Sequence, residues 1–316
     1  MKIRFQSVVG LLFMLVAVTL LSLSHVFTKQ LFQSSSGINV LEVLIIRAIF
    51  QIVLNQILIQ LLGNISYFNL TRDQIKKLLW RFGLGYSSWV MQIYTFNYLP
   101  LGTIQVIQNL TPFFSAIFGY IILRETLKAI EVVNTLISFS GVIFIVVLSS
   151  QGQNTHESLR NISQFLFIFS IVLNFISAVI SSLVGVVIRQ LRGVHFTMIA
   201  GFQGICSVIV SSIVLTIQKL WVSQEGFQYN MSQTDYVNAL GLGIFGALSQ
   251  ICFVKALLYD KAGRCASLLL MNIVYGYLSD VLFFNYDIQI FEIVGSSVII
   301  ACSVVIFVIK CYFYND

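Results

Sequence analysis

The sequence predicts an all-α, polytopic membrane protein with ten transmembrane helices, arranged as two five-helix copies that enter the bilayer in opposite directions. Three observations predict it. Apolar runs of about 20 residues recur along the chain, the length a helix needs to cross a bilayer. Hydrophobic residues make up 58% of the sequence and charged ones 9%, where a soluble chain is about one quarter charged. The second half also repeats the first in one frame.

Cut at its polar breaks, the chain gives spans near 7–31, 39–62, 78–98, 101–123, 131–150, 163–188, 195–218, 236–258, 264–284 and 288–309. The first apolar run, Ser7 to Phe32, is too long for a signal-peptide core and lacks a small-residue cleavage site, so it is expected to remain as the first span. The third and fourth spans leave room for only a tight turn at Tyr98-Leu99-Pro100-Leu101-Gly102, which the proline and glycine favour. The fourth holds Pro112, one of two prolines in the chain, and closes at Arg124-Glu125. Gln105, Gln108, Asn109, Pro112, Ala116 and Gly119 recur there at steps of three or four and share one helical face. That face is unsuited to lipid and is expected to meet other helices or a wet cavity. Pro112 removes a backbone donor and loosens the helix near mid-membrane.

The net charge of +6 does not mark a nucleic-acid binder, because the basic residues lie in short pieces between spans. With the N-terminus in the cytoplasm, the inner segments hold 13 of them: Lys2, Arg4, Arg72, Lys76, Lys77, Arg81, Arg124, Lys128, Arg189, Arg192, Lys261, Arg264 and Lys310. The outer segments hold Lys29, Arg160 and Lys219. This asymmetry places both termini in the cytoplasm, in a plasma membrane or endomembrane alike. Sequons at Asn161 and Asn230 then fall outside, and others at Asn64 and Asn69 fall inside. The five cysteines form no CxxC pair, so neither a disulfide framework nor a metal site is expected, and no cofactor is called for.

The repeat appears on shifting the chain by 161 residues without a gap. Glu131-Val132-Val133 then falls on Glu292-Ile293-Val294, Gly102 on Gly263, Tyr98 on Tyr259, Gly85 on Gly246 and Ser88 on Ser249. The copies divide as 1–150 and 151–316. Five spans per copy is an odd number, so the second copy is inverted, a plan that puts a binding site at the interface of the halves near the midplane.

The run from Tyr94 to Val146, with Pro112-Phe113-Phe114-Ser115-Ala116, Gly119, Arg124-Glu125-Thr126-Leu127 and Gly141-Val142, resembles the EamA-type module of the drug/metabolite transporter superfamily. In that module a proline opens the second half of the fourth span and a glutamate closes it. The second copy departs from the pattern, with Ile273, Tyr286 and Cys302 at the proline, glutamate and glycine positions. Arg47 is similar to an arginine in the second span of some eukaryotic solute-carrier relatives. The resemblance implies a cavity surrounded by spans one to four and six to nine, with the fifth and tenth at the periphery.

Arg47 lies roughly 12 Å below the outer end of its span at 1.5 Å per residue. A guanidinium there faces a cavity, pairs or snorkels. It either makes a structural buried pair, for which Asp280 is at a suitable level, or receives an anionic group of a solute. Lys255 reads as snorkelling to the inner interface or as a second site cation. Glu42 reads as solvated and Asp280 as near water. Trp89, Gln92, Tyr94, Gln108, Asn109, Asn272 and Tyr275 offer hydrogen bonds and ring faces to a solute, or pack helices and line the interface. His25 is either a proton-coupling residue or a local hydrogen-bonding group.

These residues point to a secondary-active transporter moving a small polar or anionic metabolite by alternating access. No GxxxxGK[ST] loop is present to use ATP. A membrane-embedded enzyme is the alternative from another class, but there is no HExxH or GxSxG motif, and His25, His156 and His195 lie far apart in sequence. An ion channel without alternating access is a third reading, told apart by unsaturable current. The partners expected are the solute, the bilayer and a second copy of the chain, with no nucleic acid.

Overall fold

The computed structural model describes residues 2–34, 37–62, 70–124, 163–191, 193–223, 231–259, 269 and 271–312, and positions 133, 136, 137, 140, 141, 144, 145, 147 and 148. The sequons at Asn64, Asn69, Asn161 and Asn230, Glu125 and the loop cations Lys128, Arg160, Arg192, Lys261 and Arg264 lie outside the described residues. The elements are α1 (Lys2–Gln33), α2 (Val40–Leu62), α3 (Arg72–Thr95), α4 (Leu101–Gln108), α5 (Thr111–Leu123), α6 (Gln164–Gln190), α7 (Phe196–Ile217), α8 (Gln233–Tyr259), α9 (Met271–Phe284) and α10 (Ile290–Tyr312). A π-helical stretch, Gln218–Ser223, prolongs α7. The described positions between 133 and 148 are helical, at the place of the fifth span. No strand occurs among the described residues.

Among the described residues, five helices are long and apolar enough to cross a membrane: Leu12–Gln33, Val40–Leu61, Gln164–Ile188, Phe196–Leu220 and Gln233–Ala256. Two of the ten expected spans differ for local reasons. α3 begins at Arg72, six residues before the expected start, and carries five charges in its first ten residues. The expected fourth span is two helices, broken between Gln108 and Thr111, with Pro112 in the first turn of α5 where its missing N–H costs nothing. The ninth is described as a shorter apolar helix, Met271–Phe284.

Side-chain caps set several helix starts. Thr71 and Gln74 form a full capping box on α3. Ser232 and Asp235 do the same on α8, with Asp235 Oδ2 accepting from Ser232 N at 2.8 Å and Ser232 Oγ accepting from Asp235 N at 3.2 Å. Thr71 and Ser232 stand 161 residues apart, so the repeat extends to the chemistry that opens the two helices. The α4 start is different: Pro100 occupies the N-cap and has no side-chain acceptor. Asp280 of α9 supplies one, taking Leu101 N at 3.0 Å and Gly102 N at 2.7 Å.

Packing between the halves returns to itself when the copies are exchanged. With α1, α2, α3 and α4–α5 equivalent to α6, α7, α8 and α9, the contact α1·α8 has its mate in α3·α6, α2·α8 in α3·α7, α1·α9 in the contacts of α4 and α5 with α6, and α2·α3 in α7·α8. The pair α2·α7 is its own mate, and α4·α9 joins the fourth span to the ninth. Each crosses at small residues. A Cβ on Gly204 of α7 would lie 3.0 Å from Ile52 Cγ1 and 3.5 Å from the Ala48 carbonyl oxygen of α2. Ala48 and Gly204 hold the same place in their helices, eight residues after each first residue. At the α4·α9 crossing, a Cβ on Gly276 would stand 3.1 Å from the Gly102 Cα.

Candidate functional site

Apolar clusters cross the interface of the halves, and between them run two buried polar stripes. On α2 the buried residues Arg47, Gln51 and Asn55 follow one another at i+4, and on α7 Gln203, Ser207 and Ser211 do the same. Aligned through Ala48 and Gly204, these two stripes occupy the same three positions on the two self-paired helices. Gln51 Nε2 donates across the crossing to the Ala200 carbonyl at 2.8 Å. Polar groups in such a setting are retained only where partners meet them.

Arg47 is 5% exposed. Its Nη2 donates to the Gly246 carbonyl at 3.3 Å, across to the second half, and its guanidinium carbon lies 3.3 Å from the centroid of the Trp89 ring. Stacking on an aromatic face suits a planar, weakly hydrated cation. Gly246 makes this approach feasible, since a Cβ there would sit 2.9 Å from Arg47 Nε and 2.9 Å from Ser24 Oγ. Arg47 Nε is buried with no hydrogen-bond partner.

Among the other expected residues, Gln105 Nε2 contacts His25 Nδ1 at 2.9 Å, and the imidazole meets Phe96 edge-on. With the amide nitrogen as donor, Nδ1 accepts and the ring proton sits on Nε2. Gln108 Nε2 donates to Asn174 Oδ1 at 2.8 Å and Ser177 Oγ at 3.0 Å on α6. Asn109 Nδ2 turns back to the Gln105 carbonyl at 2.8 Å, leaving its Oδ1 without a partner. The polar face of the fourth span therefore meets α1 and α6. The Tyr94 hydroxyl donates to that of Tyr98 at 3.4 Å, Thr19 Oγ1 donates to the Tyr275 hydroxyl at 3.3 Å, and Gln92 is half-buried on α3. Asn272 is buried with Oδ1 unpartnered. Lys255 does not join Arg47: its ammonium stands over Phe13 at 4.3 Å and Phe196 at 5.4 Å.

Two expectations about the acids are corrected. Asp280 neither reaches water nor partners Arg47; it is fully buried and pairs with Lys29 at 3.1 Å. The α4 amides already draw its carboxylate to the α1·α4·α9 junction, away from α2. Glu42 is not solvated, because Lys219 at the end of α7 takes it at 2.6 Å. Its other oxygen accepts from Asn39 N at 2.8 Å, closing the start of α2.

Sequence reasoning missed one cation altogether. Arg81, counted among the inner loops, is 2% exposed and donates from Nη1 to Gln203 Oε1 at 2.6 Å. Its Nε has no hydrogen-bond partner. The available signal was its i+4 spacing with Gly85 and Trp89 on α3. Arg47 and Arg81 thus both reach from the first half to the second.

The description of the EamA-like transporter family matches residues 8–147 and again 168–308. The chain belongs to that family. Human solute carrier family 35 member G1 is similar, 23% identical over 299 residues, covering 93% of this chain and 77% of the human protein. "Probable transport protein YPL264C" of Saccharomyces cerevisiae is 22% identical over 238 residues, 72% of this chain and 66% of the yeast protein. One solved crystal structure superposes with a TM-score of 0.64 at 14% identity, over 97% of this chain and 98% of that one, which shows the shared fold. Two family matches along one chain account for the two-repeat packing, and the protein is an integral membrane protein of a transporter family.

Proposed function

We propose that this family member is a secondary-active carrier of a small polar or anionic metabolite, working by alternating access between ten spans in two inverted copies, 1–150 and 151–316, with both termini cytoplasmic. The observation that carries it is Arg47, held on Trp89 at the interface of the halves with Nε free of protein partners. A guanidinium with an unused donor edge fits a carboxylate or phosphate. The lean to an anion follows from the local charges: Asp280 and Glu42 are each already paired with a lysine, whereas the hydrogen bonds of Arg47 and Arg81 go to neutral oxygens. A packing pattern unchanged by exchange of the copies supports two related states, one open at each end.

Thermal-shift screening of the purified protein against metabolite sets identifies the solute, because a ligand that prefers the folded state raises apparent stability. Counterflow in proteoliposomes is then expected to be saturable. Arg47→Ala should lower uptake by about ten- to a hundredfold, the equivalent of one charge-assisted hydrogen bond of about 1.5–3 kcal/mol. Unchanged uptake by an inserted Arg47→Ala protein removes Arg47 from the site. Current without saturation or counterflow replaces the carrier with a channel.

A further inference from the structure

Two buried ion pairs stand at one end of the bundle, where α1, α3, α7 and α9 finish and α2 and α4 begin. Lys29 near the end of α1 holds Asp280 of α9 at 3.1 Å, and Asp280 holds the first amides of α4. The Lys29 ammonium also donates to the Leu99 carbonyl at 3.4 Å and lies over the Phe284 ring at 4.6 Å. Glu42 at the start of α2 holds Lys219 at the end of α7 at 2.6 Å, beside an Asn39 to Gln218 hydrogen bond of 3.1 Å. The pairs therefore fasten α4·α9 and α2·α7, both of which join one half to the other.

Separation of the halves at this end has to part both helix pairs. The repeat does not duplicate the carboxylates at the opposite end. The position 161 residues before Asp280 is Gly119; Glu42 falls on Gln203 at that shift, and on Met198 when α2 and α7 are aligned through Ala48 and Gly204, so neither register gives a carboxylate. Among the described residues, the packing carries these charged ties at one end alone. A buried pair gives little net stability over an apolar contact, but breaking it leaves a costly unpaired charge. It resists opening without adding much to folding.

We propose that Lys29–Asp280 and Glu42–Lys219 are the two latches of one gate, and that the structure is the state of the transporter closed at this end. The inference rests on the alternating-access reading, yet its test needs no solute. Thr103, 1% exposed on α4 with a hydroxyl that makes no hydrogen bond, takes a cysteine with little change. In a background whose five native cysteines are replaced, Thr103→Cys is labelled in proteoliposomes with a membrane-impermeant maleimide added from the α1 C-terminal side. Lys29→Met is expected to speed labelling by about tenfold or more, as release of a latch shifts the population towards the open form. Lys29→Arg, which keeps the charge, should stay slow. A control reporter, Ala256→Cys, fully buried near the other end of the bundle, should not change. Equal rates for Lys29→Met and its parent overturn the proposal. So does faster labelling of both reporters, which means general loosening. If Lys29→Met does not insert, Lys219→Met releases the second latch and is read the same way. Failure of the transport reading would appear separately, as absent counterflow with the labelling response intact.

Discussion

Arg81 shows at residue scale what a cation inside this bundle requires. Nine residues into α3, it donates to a neutral acceptor, Gln203 Oε1, at 2.6 Å. Gln203→Leu keeps most of the volume and removes that acceptor. It should cost about 1–3 kcal/mol, the penalty for stranding a buried polar group. The measurement is the apparent unfolding temperature of the purified protein, expected to fall clearly for Leu and to hold for Gln203→Glu, which restores an acceptor. No drop with Leu would mean that water or another group serves Arg81. The contrast with Arg47 explains what was legible here. Arg47 sits in the middle of an apolar run and announces itself as embedded. Arg81 follows Arg72, Lys76 and Lys77 and looks like the last of a loop cluster. Depth along a helix can be counted from sequence. Which helix receives a side chain depends on how two surfaces meet, and so the partners of Asp280, Glu42 and Arg81 were not readable.

The fourth span shows the same division among elements. Pro112 and the polar spacing around it mark a weak point, and the helix breaks just before it, after Gln108. The stripe from Gln105 to Asn109 was legible as a face unfit for lipid; its partners on α1 and α6 were not. The start of α4 depends on a residue 179 positions away, since Pro100 offers no cap and Asp280 supplies it. Close approach makes this possible. Gly102 lies against the Tyr277 ring, where any Cβ would overlap the aromatic carbons. Tyr277 is itself buried and has little room to move. Gly102→Val should therefore destabilise the protein strongly and lower the inserted yield. Tyr277→Ala alone opens a cavity and should also destabilise. The double variant should be more stable than the sum of the two losses allows, because the valine fills vacated space. Additive losses in this cycle would show that the two residues do not share the crossing.

At the scale of the whole molecule, orientation is a question of where charges stop being free. The sequence count set 13 basic residues inside against three outside. The structure changes which of these can interact with the insertion machinery as loop charges in the folded arrangement. Arg81 leaves the inner set for a buried contact with Gln203. Lys29 and Lys219 leave the outer set for buried pairs with Asp280 and Glu42. With these three set aside, the sequence leaves 12 inner cations against Arg160, and the proposed orientation keeps its direction. On the proposed five spans per copy, the second copy is inverted and the chain returns to the side where it began. Epitope tags before Met1 and after Asp316 should therefore both be reached by antibody only after the cell membrane is permeabilised, or both face the cytosol in intact organelles. Tags on opposite faces would mean an odd number of crossings. The first place to look would then be the broken fourth span, because α4 alone, eight residues and about 12 Å long at 1.5 Å per residue, cannot cross a bilayer without α5 continuing its path.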